Sequence, residues 1–298
     1  MSYGGDDKFG HPVRAFAEAK AGVDTVDDLT AGVHADRSGS LMSGNTGNTN
    51  VVEIMERLRE MGMLVPDSEL GPEVRSEYRR IKRPLLSNAF GKSASLVDQG
   101  NLIMVTSSVP GEGKTYTAVN LALAIAQERD STVLLVDCDV TKQGVSRMLG
   151  IEKHRPDLTD LLASDTMPIH DALLKTDVPG LVTLPAGKPH EYITEMIASK
   201  RMASLMHDFA TRYNDRIVVF DAPPVLSTPE AVVLAELVGQ VVFVVEAGKT
   251  PFTIVQEALE MIPDEKAVGL VLNKGESISN RGSYYYNYYA AYGENDEE

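Results

Sequence analysis

Of 298 residues one is cysteine and none is tryptophan. The lone Cys138 permits no intramolecular disulfide, and six scattered histidines form none of the usual zinc-ligand spacings, so neither a disulfide framework nor a structural metal is expected. Basic residues are scarce as well. The 28 Lys and Arg against 43 Asp and Glu leave a formal charge of -15, which opposes diffuse attraction to nucleic acid or anionic lipid, and no nucleic-acid partner is expected. A local basic patch can still act. No apolar run approaches the roughly 18 residues of a membrane span; the longest is LVGQVVFVV at 237–245. The first residues, MSYGGDDKFG, lack the basic-then-apolar order of a signal peptide, so a cytoplasmic protein is expected, one still able to dock onto a membrane protein.

What is present is enough for one large α/β domain with an arm, burying roughly 75% of the unfolded surface without staples. Residues 1–50 read as a flexible amino-terminal arm, because 11 of the 13 residues from Ser38 to Asn50 are Gly, Ser, Thr or Asn and cannot bury enough apolar area to offset ordering. Residues 51–89 read as helical. Asn50 and Glu53 form a candidate capping box ahead of Val51, Ile54, Met55, Leu58 and Met61 at helical spacing. A second helix is predicted over Glu73–Arg83, stopping before Pro84, with Arg75, Arg79, Arg80, Lys82 and Arg83 as a basic surface whose simplest reading is a solvated face.

From Asn101 the pattern changes to short apolar strands alternating with helices. Strands are predicted at 102–106, 132–137, 181–184, 217–221, 241–245 and 268–272, with helices at 115–128, 158–163, 201–212, 230–237 and 252–262. The spacing favours an open, mostly parallel sheet with helices on both faces, one α/β domain over 90–275, and the turn SVPGEGKT at Ser108–Thr115 within it makes that domain P-loop NTPase-like. The tail, 276–298, packs Tyr284, Tyr285, Tyr286, Tyr288, Tyr289 and Tyr292 into nine residues and ends in GENDEE. A strand or aggregation-prone segment is one reading of it; its position and flanking glycines favour an accessible, flexible one.

The chemistry concentrates at three strand ends. In SVPGEGKT, Ser108–Thr115, the amides of Gly111, Glu112, Gly113, Lys114 and Thr115 can point at phosphate oxygens, Lys114 can neutralise charge and Thr115 can offer its hydroxyl to Mg²⁺, with Tyr116 next in line. The strict pattern expects glycine where Ser108 stands. VLLVDCDV follows, with Asp137 and Asp139 on one side of a continuing strand and Cys138 packed on the other; either aspartate can accept a proton or join the metal sphere. In RIVVFDAPP four apolar residues lead to Asp221, a candidate to hold Mg²⁺ through water near Thr115. Finally GLVLNK ends in Asn273, whose amide fits a purine edge or a strand cap equally.

With these segments in order the chain resembles the bacterial tyrosine kinases of polysaccharide biosynthesis, autokinases of the exosortase and exopolysaccharide type, over about residues 73–292. LPAG at 184–187, ASKRM at 198–202 and VVEAGKTP at 244–251 match family connecting segments. The resemblance implies ATP and Mg²⁺ as cofactors, with Lys114, Asp137 and Asp139 catalytic and Thr115, Asp137, Asp139 and Asp221 around the metal. It implies autophosphorylation of the tyrosine tail in a neighbouring subunit. Glu77, Arg80 and Arg83 reproduce an E-x-x-R-x-x-R pattern that in relatives supports a ring, residues three apart sharing a helix face. Because this chain lacks the transmembrane part of fused relatives, the resemblance implies a separately encoded membrane chain-length or co-polymerase activator, recruitment to the inner face of the cell membrane and a tyrosine phosphatase. Thr141, Lys142 and Gln143 depart from the family, which carries arginines and a proline there. The rival readings are a MinD/ParA-like positioning ATPase, which commonly has lysine where this chain has Val109, and a nucleotide-binding scaffold without kinase activity.

Overall fold

A computed structural model describes residues 51–66, 72–151, 155–212 and 215–275. The expected arm over 1–50 and the tyrosine tail over 276–298, with all six candidate phosphorylation sites, lie outside the described residues. Seven strands, β1 (Leu102–Ser107), β2 (Thr132–Asp137), β3 (Leu174–Lys175), β4 (Leu181–Leu184), β5 (Arg216–Asp221), β6 (Gln240–Glu246) and β7 (Ala267–Asn273), form one sheet in the order β3-β4-β2-β5-β1-β6-β7. Every pairing is parallel except β3 with β4. The described helices are α1 (Met55–Glu60), α2 (Pro72–Phe90), α3 (Lys114–Ala126), α4 (Gly144–Leu149), α5 (Leu158–Ala163), α6 (Ile169–Ala172), α7 (Ile193–Ile197), α8 (Lys200–Thr211), α9 (Pro229–Leu237) and α10 (Phe252–Leu259).

The central strands carry apolar residues on both faces because both faces are covered. Leu102, Met104, Leu134, Val136, Val218, Phe220, Val241 and Phe243 point into one core with α5, α7, α8, α9 and α10. Their alternates Ile103, Val105, Val133, Leu135, Ile217, Val219, Val242 and Val244 point into a second core with α1, α2, α3 and α4. This period of two fixes the site. Asp137 and Asp221 continue the rows of Leu135 and Val219, so both face α3 and α4, and the β2–β5 register sets them side by side. Cys138 falls in the opposite core and is 1% exposed, as expected. The central β1 lies where the strand order reverses, and its carboxyl end is the crevice in which such sheets bind ligands.

Three expectations are corrected. The helix expected to stop before Pro84 runs through it to Phe90. Proline forfeits one backbone bond, the one Arg80 would accept, but beyond it Leu85 is buried, Asn88 donates to Gln240 at 2.8 Å and Gln240 donates to the Leu85 carbonyl at 3.0 Å. Tertiary anchoring outweighs local propensity. The amino end of α1 has no side-chain cap from its own sequence. Instead Asp177, 123 residues away, accepts from Ile54 N at 2.9 Å and Met55 N at 3.2 Å. Lastly β2 ends at Asp137, so Asp139 sits in the following turn instead of on a continuing strand. The segment 51–89 packs on the domain itself: Ile54, Leu58, Met63, Tyr78 and Leu85 share the core of α3. Among the described residues no helix is long and apolar enough to cross a membrane.

Candidate active site

The loop between β1 and α3 is shaped by two glycines and one glutamate. Gly111 and Gly113 take φ of 97° and 98°, a left-handed conformation open to glycine without strain, and a Cβ on Gly113 would meet the Asn273 amide. Glu112 is 1% exposed and points inward. Its carboxylate accepts from Val109 N at 2.8 Å, Glu246 N at 3.2 Å and Thr250 Oγ1 at 2.6 Å, tying the loop to the end of β6. Only its backbone is therefore placed to meet a nucleotide. Asn273 donates to the Glu112 carbonyl at 2.8 Å, and Lys274 donates to the Gly111 carbonyl at 2.6 Å and to Glu246 at 3.2 Å. Asn273 thus braces the loop in this structure.

Lys114 starts α3 and is 6% exposed. Its ammonium lies 2.8 Å from Asp139 Oδ2 and 3.5 Å from Asp221 Oδ1. Burial alone would depress its pKa, but the Asp221 and Asp139 carboxylates outweigh burial and hold it above the ordinary lysine value. Thr115 donates its hydroxyl to Asp221 Oδ2 at 2.7 Å. Asp137 makes no ammonium contact; its Oδ2 accepts from Ser146 N and Ser146 Oγ, both at 2.9 Å. Burial, then the Asp221 charge, pushes the Asp137 pKa up to about 7, and burial pushes Asp221 up to about 6 against the opposing pull of Lys114. Four of the expected residues, Lys114, Asp137, Asp139 and Asp221, therefore meet with Thr115 at one point.

Tyr116 is turned away. Its hydroxyl donates to the Gly62 carbonyl at 3.3 Å, on the side of α1, which separates it from the carboxylate cluster. Glu77, Arg80 and Arg83 are exposed along α2, whereas Lys82 of the same basic surface folds back onto the Ala124 carbonyl at 2.6 Å and Glu128 at 2.7 Å. Sequence reasoning missed Gly144 and Ser146. A Cβ on Gly144 would lie 2.7 Å from Thr115 Oγ1 and 3.3 Å from Asp221 Oδ2, so only glycine lets α4 approach the site this closely. The signal was slight: a glycine and a serine soon after the second acidic segment.

Three carboxylates against one buried ammonium call for a further cation, and a hydroxyl beside a carboxylate is a donor set that suits Mg²⁺ with waters and phosphate oxygens completing its sphere. Thr115 and Asp221 are placed to hold it; among the described residues no group of three or more His, Cys, Asp or Glu forms a metal site alone. This fold and this loop define a P-loop NTPase, and residues 98–296 match the ParA family, described as NUBPL iron-transfer P-loop NTPase. The chain is 31% identical to the tyrosine-protein kinase YwqD of Bacillus subtilis over 212 residues, 70% of this chain and 84% of that one. It is 31% identical over 202 residues to EpsB of Ralstonia nicotianae, taking in 67% of this chain but only 26% of EpsB. The solved kinase domain of VpsO superposes with a TM-score of 0.55 at 31% identity, covering 67% of this chain and all of that domain. Within the ParA-type fold, the chain belongs to the bacterial tyrosine-protein kinase family, and its activity in outline is that of an ATP-dependent tyrosine kinase.

Proposed function

We propose that this kinase phosphorylates the tyrosines of its own tail, Tyr284, Tyr285, Tyr286, Tyr288, Tyr289 and Tyr292, in a neighbouring subunit, and that it thereby controls exopolysaccharide polymerisation or export. The observation that carries the chemistry is the convergence of Lys114, Thr115, Asp137, Asp139 and Asp221 beneath a phosphate loop. The loop amides and Lys114 bind the ATP phosphates. Mg²⁺, held by Thr115 and Asp221, supplies charge neutralisation when bound. The phenolic oxygen bonds to the γ-phosphorus, the bond to the β–γ bridging oxygen breaks and ADP leaves. The phenol proton goes to a carboxylate, and Asp137 suits this better than Asp139 because Lys114 already pairs with Asp139.

Delivery in trans fits the exposed Glu77, Arg80 and Arg83 on one face of α2, where self-association into a ring would bring one tail to the next active site. A membrane chain-length or co-polymerase protein as activator, recruitment to the inner membrane face and a tyrosine phosphatase as counterpart belong to the same proposal. The test is incubation of the full chain with ATP and Mg²⁺, with and without the candidate membrane partner, followed by tyrosine-site mapping. Phosphate at 284–292 supports the proposal. ATP hydrolysis without phosphotyrosine would favour a positioning ATPase, which the ParA match keeps as a second reading, and nucleotide-dependent partner binding alone would favour a scaffold.

A further inference from the structure

Helix α4, six residues long, is fastened at both ends. At its start Gln143 N donates to the Asp139 carbonyl at 2.6 Å, the Gln143 side chain donates to the Gly187 carbonyl at 2.5 Å, and Ser146 gives both its donors to Asp137 Oδ2. At its far end Gly150 turns left-handed with φ of 70°. There Arg57 donates Nε to the Met148 carbonyl at 2.8 Å, and Nη2 to the Arg147 carbonyl at 3.1 Å, which also accepts from Gly150 N at 3.3 Å, so the guanidinium binds the carbonyls of the last turn. Arg57 belongs to α1, which is held in turn by Asp177 at its start and by the Val52–Thr176 bridge. The chain after α1 grips α3: Leu64 N donates to Asn120 Oδ1 at 2.8 Å, and Gln127 donates to the Leu64 carbonyl at 2.8 Å. Residues 51–66 precede the family match, which begins at residue 98.

We propose that Ser146 and Arg57 are positioning residues that act through α4 to set the Asp137 carboxylate for phosphoryl transfer, Ser146 by direct contact and Arg57 by fixing the opposite end of the helix. Both Ser146 donors fall on Oδ2, and among the described residues Oδ1 receives only the long 3.3 Å bond from Asp139 N. Without Ser146 the carboxylate is free to rotate, and a displacement of about 1 Å at a reacting group costs on the order of a hundredfold in rate. The role deepens the kinase reading and rests on it.

The test compares Ser146→Ala, Ser146→Thr, Arg57→Ala and the double variant Ser146→Ala/Arg57→Ala in the full chain, following initial phosphotyrosine formation against ATP concentration. Ser146→Ala is expected to lower kcat about tenfold or more with KM for ATP within about twofold, and Ser146→Thr to restore most of it. Arg57→Ala lowers kcat less, and the double variant falls within about twofold of Ser146→Ala, since both act on one helix. Multiplicative losses, a loss carried by KM, no rescue by threonine, or parental kcat throughout would overturn the proposal. Amide hydrogen exchange over 144–150, read without nucleotide, gives an arm independent of kinase activity. Faster exchange in Arg57→Ala supports the linkage and unchanged exchange refutes it, even if the parent protein makes no phosphotyrosine and the kinase reading itself fails.

Discussion

Lys114 shows how a short motif becomes a site only through the strands around it. SVPGEGKT marked the lysine, but its contacts at 2.8 and 3.5 Å come from residues 25 and 107 positions away. Lys114→Met is expected to reduce tyrosine phosphorylation at least about a hundredfold, because charge stabilisation of the transferring group is lost; phosphotyrosine above a tenth of the parental level would contradict this. Gly144→Ala places a methyl group against Thr115 and Asp221 and should weaken Mg²⁺–ATP binding, read by calorimetry, without preventing folding. The pH behaviour follows from the carboxylates. Asp137 and Asp221 carry pKa values of about 7 and about 6 in the fold, above their unfolded values, so the folded state binds more protons than the unfolded chain between roughly pH 4 and 7. The nucleotide-free protein should therefore lose stability from this pair as pH rises through that window, and Asp137→Asn should flatten the profile measured by urea unfolding. Mg²⁺–ATP binding runs the other way, weakening as pH falls from 7.5 to 5.5, because the cation must displace protons.

At the scale of elements, the central strands were legible because each is a continuous apolar run covered on both faces: 132–137 and 181–184 match β2 and β4 to the residue, and α5 matches 158–163. What was not legible is set by distant partners. The two-residue β3 and the four- and five-residue α6 and α7 have too few residues to show a period, α4 is fastened by Asp137 and Arg57 from elsewhere in the chain, and α2 passes Pro84 because Gln240 and the core hold its far end. The same holds for α1, which begins at Met55, past the Asn50–Glu53 pair, and which Asp177 caps. Asp177→Ala should therefore cost about 1 kcal/mol, as loss of a helix cap does, although Asp177 looks unremarkable in sequence. An unfolding midpoint equal to the parent's in urea would contradict the assignment. In the site, the loop lysine, threonine and three aspartates could be read in advance, whereas Ser146 and the inward turn of Glu112 depend on how α4 and β6 pack.

For the whole molecule the central fact is a net charge of -15 with a tail that ends in acid. Each added phosphate contributes roughly 1.5 to 2 further negative charges near neutral pH, so several on neighbouring tails would repel one another, and a proposed ring joined by Glu77, Arg80 and Arg83 should loosen as phosphorylation proceeds. Assembly mass by light scattering, before and after stoichiometric phosphorylation, is expected to fall; an unchanged distribution would remove this route of control. Arg80→Glu in the same assay should favour the smaller species from the outset. Mixing experiments address the central claim most directly. Full-length Lys114→Met, with its tail intact, is combined with active protein in which the six tail tyrosines are replaced by phenylalanine, in the presence of ATP, Mg²⁺ and the candidate membrane partner. Phosphate appearing between Tyr284 and Tyr292 of the Lys114→Met chain is the predicted result, and a fully activated mixture in which that chain stays free of phosphotyrosine would contradict the account.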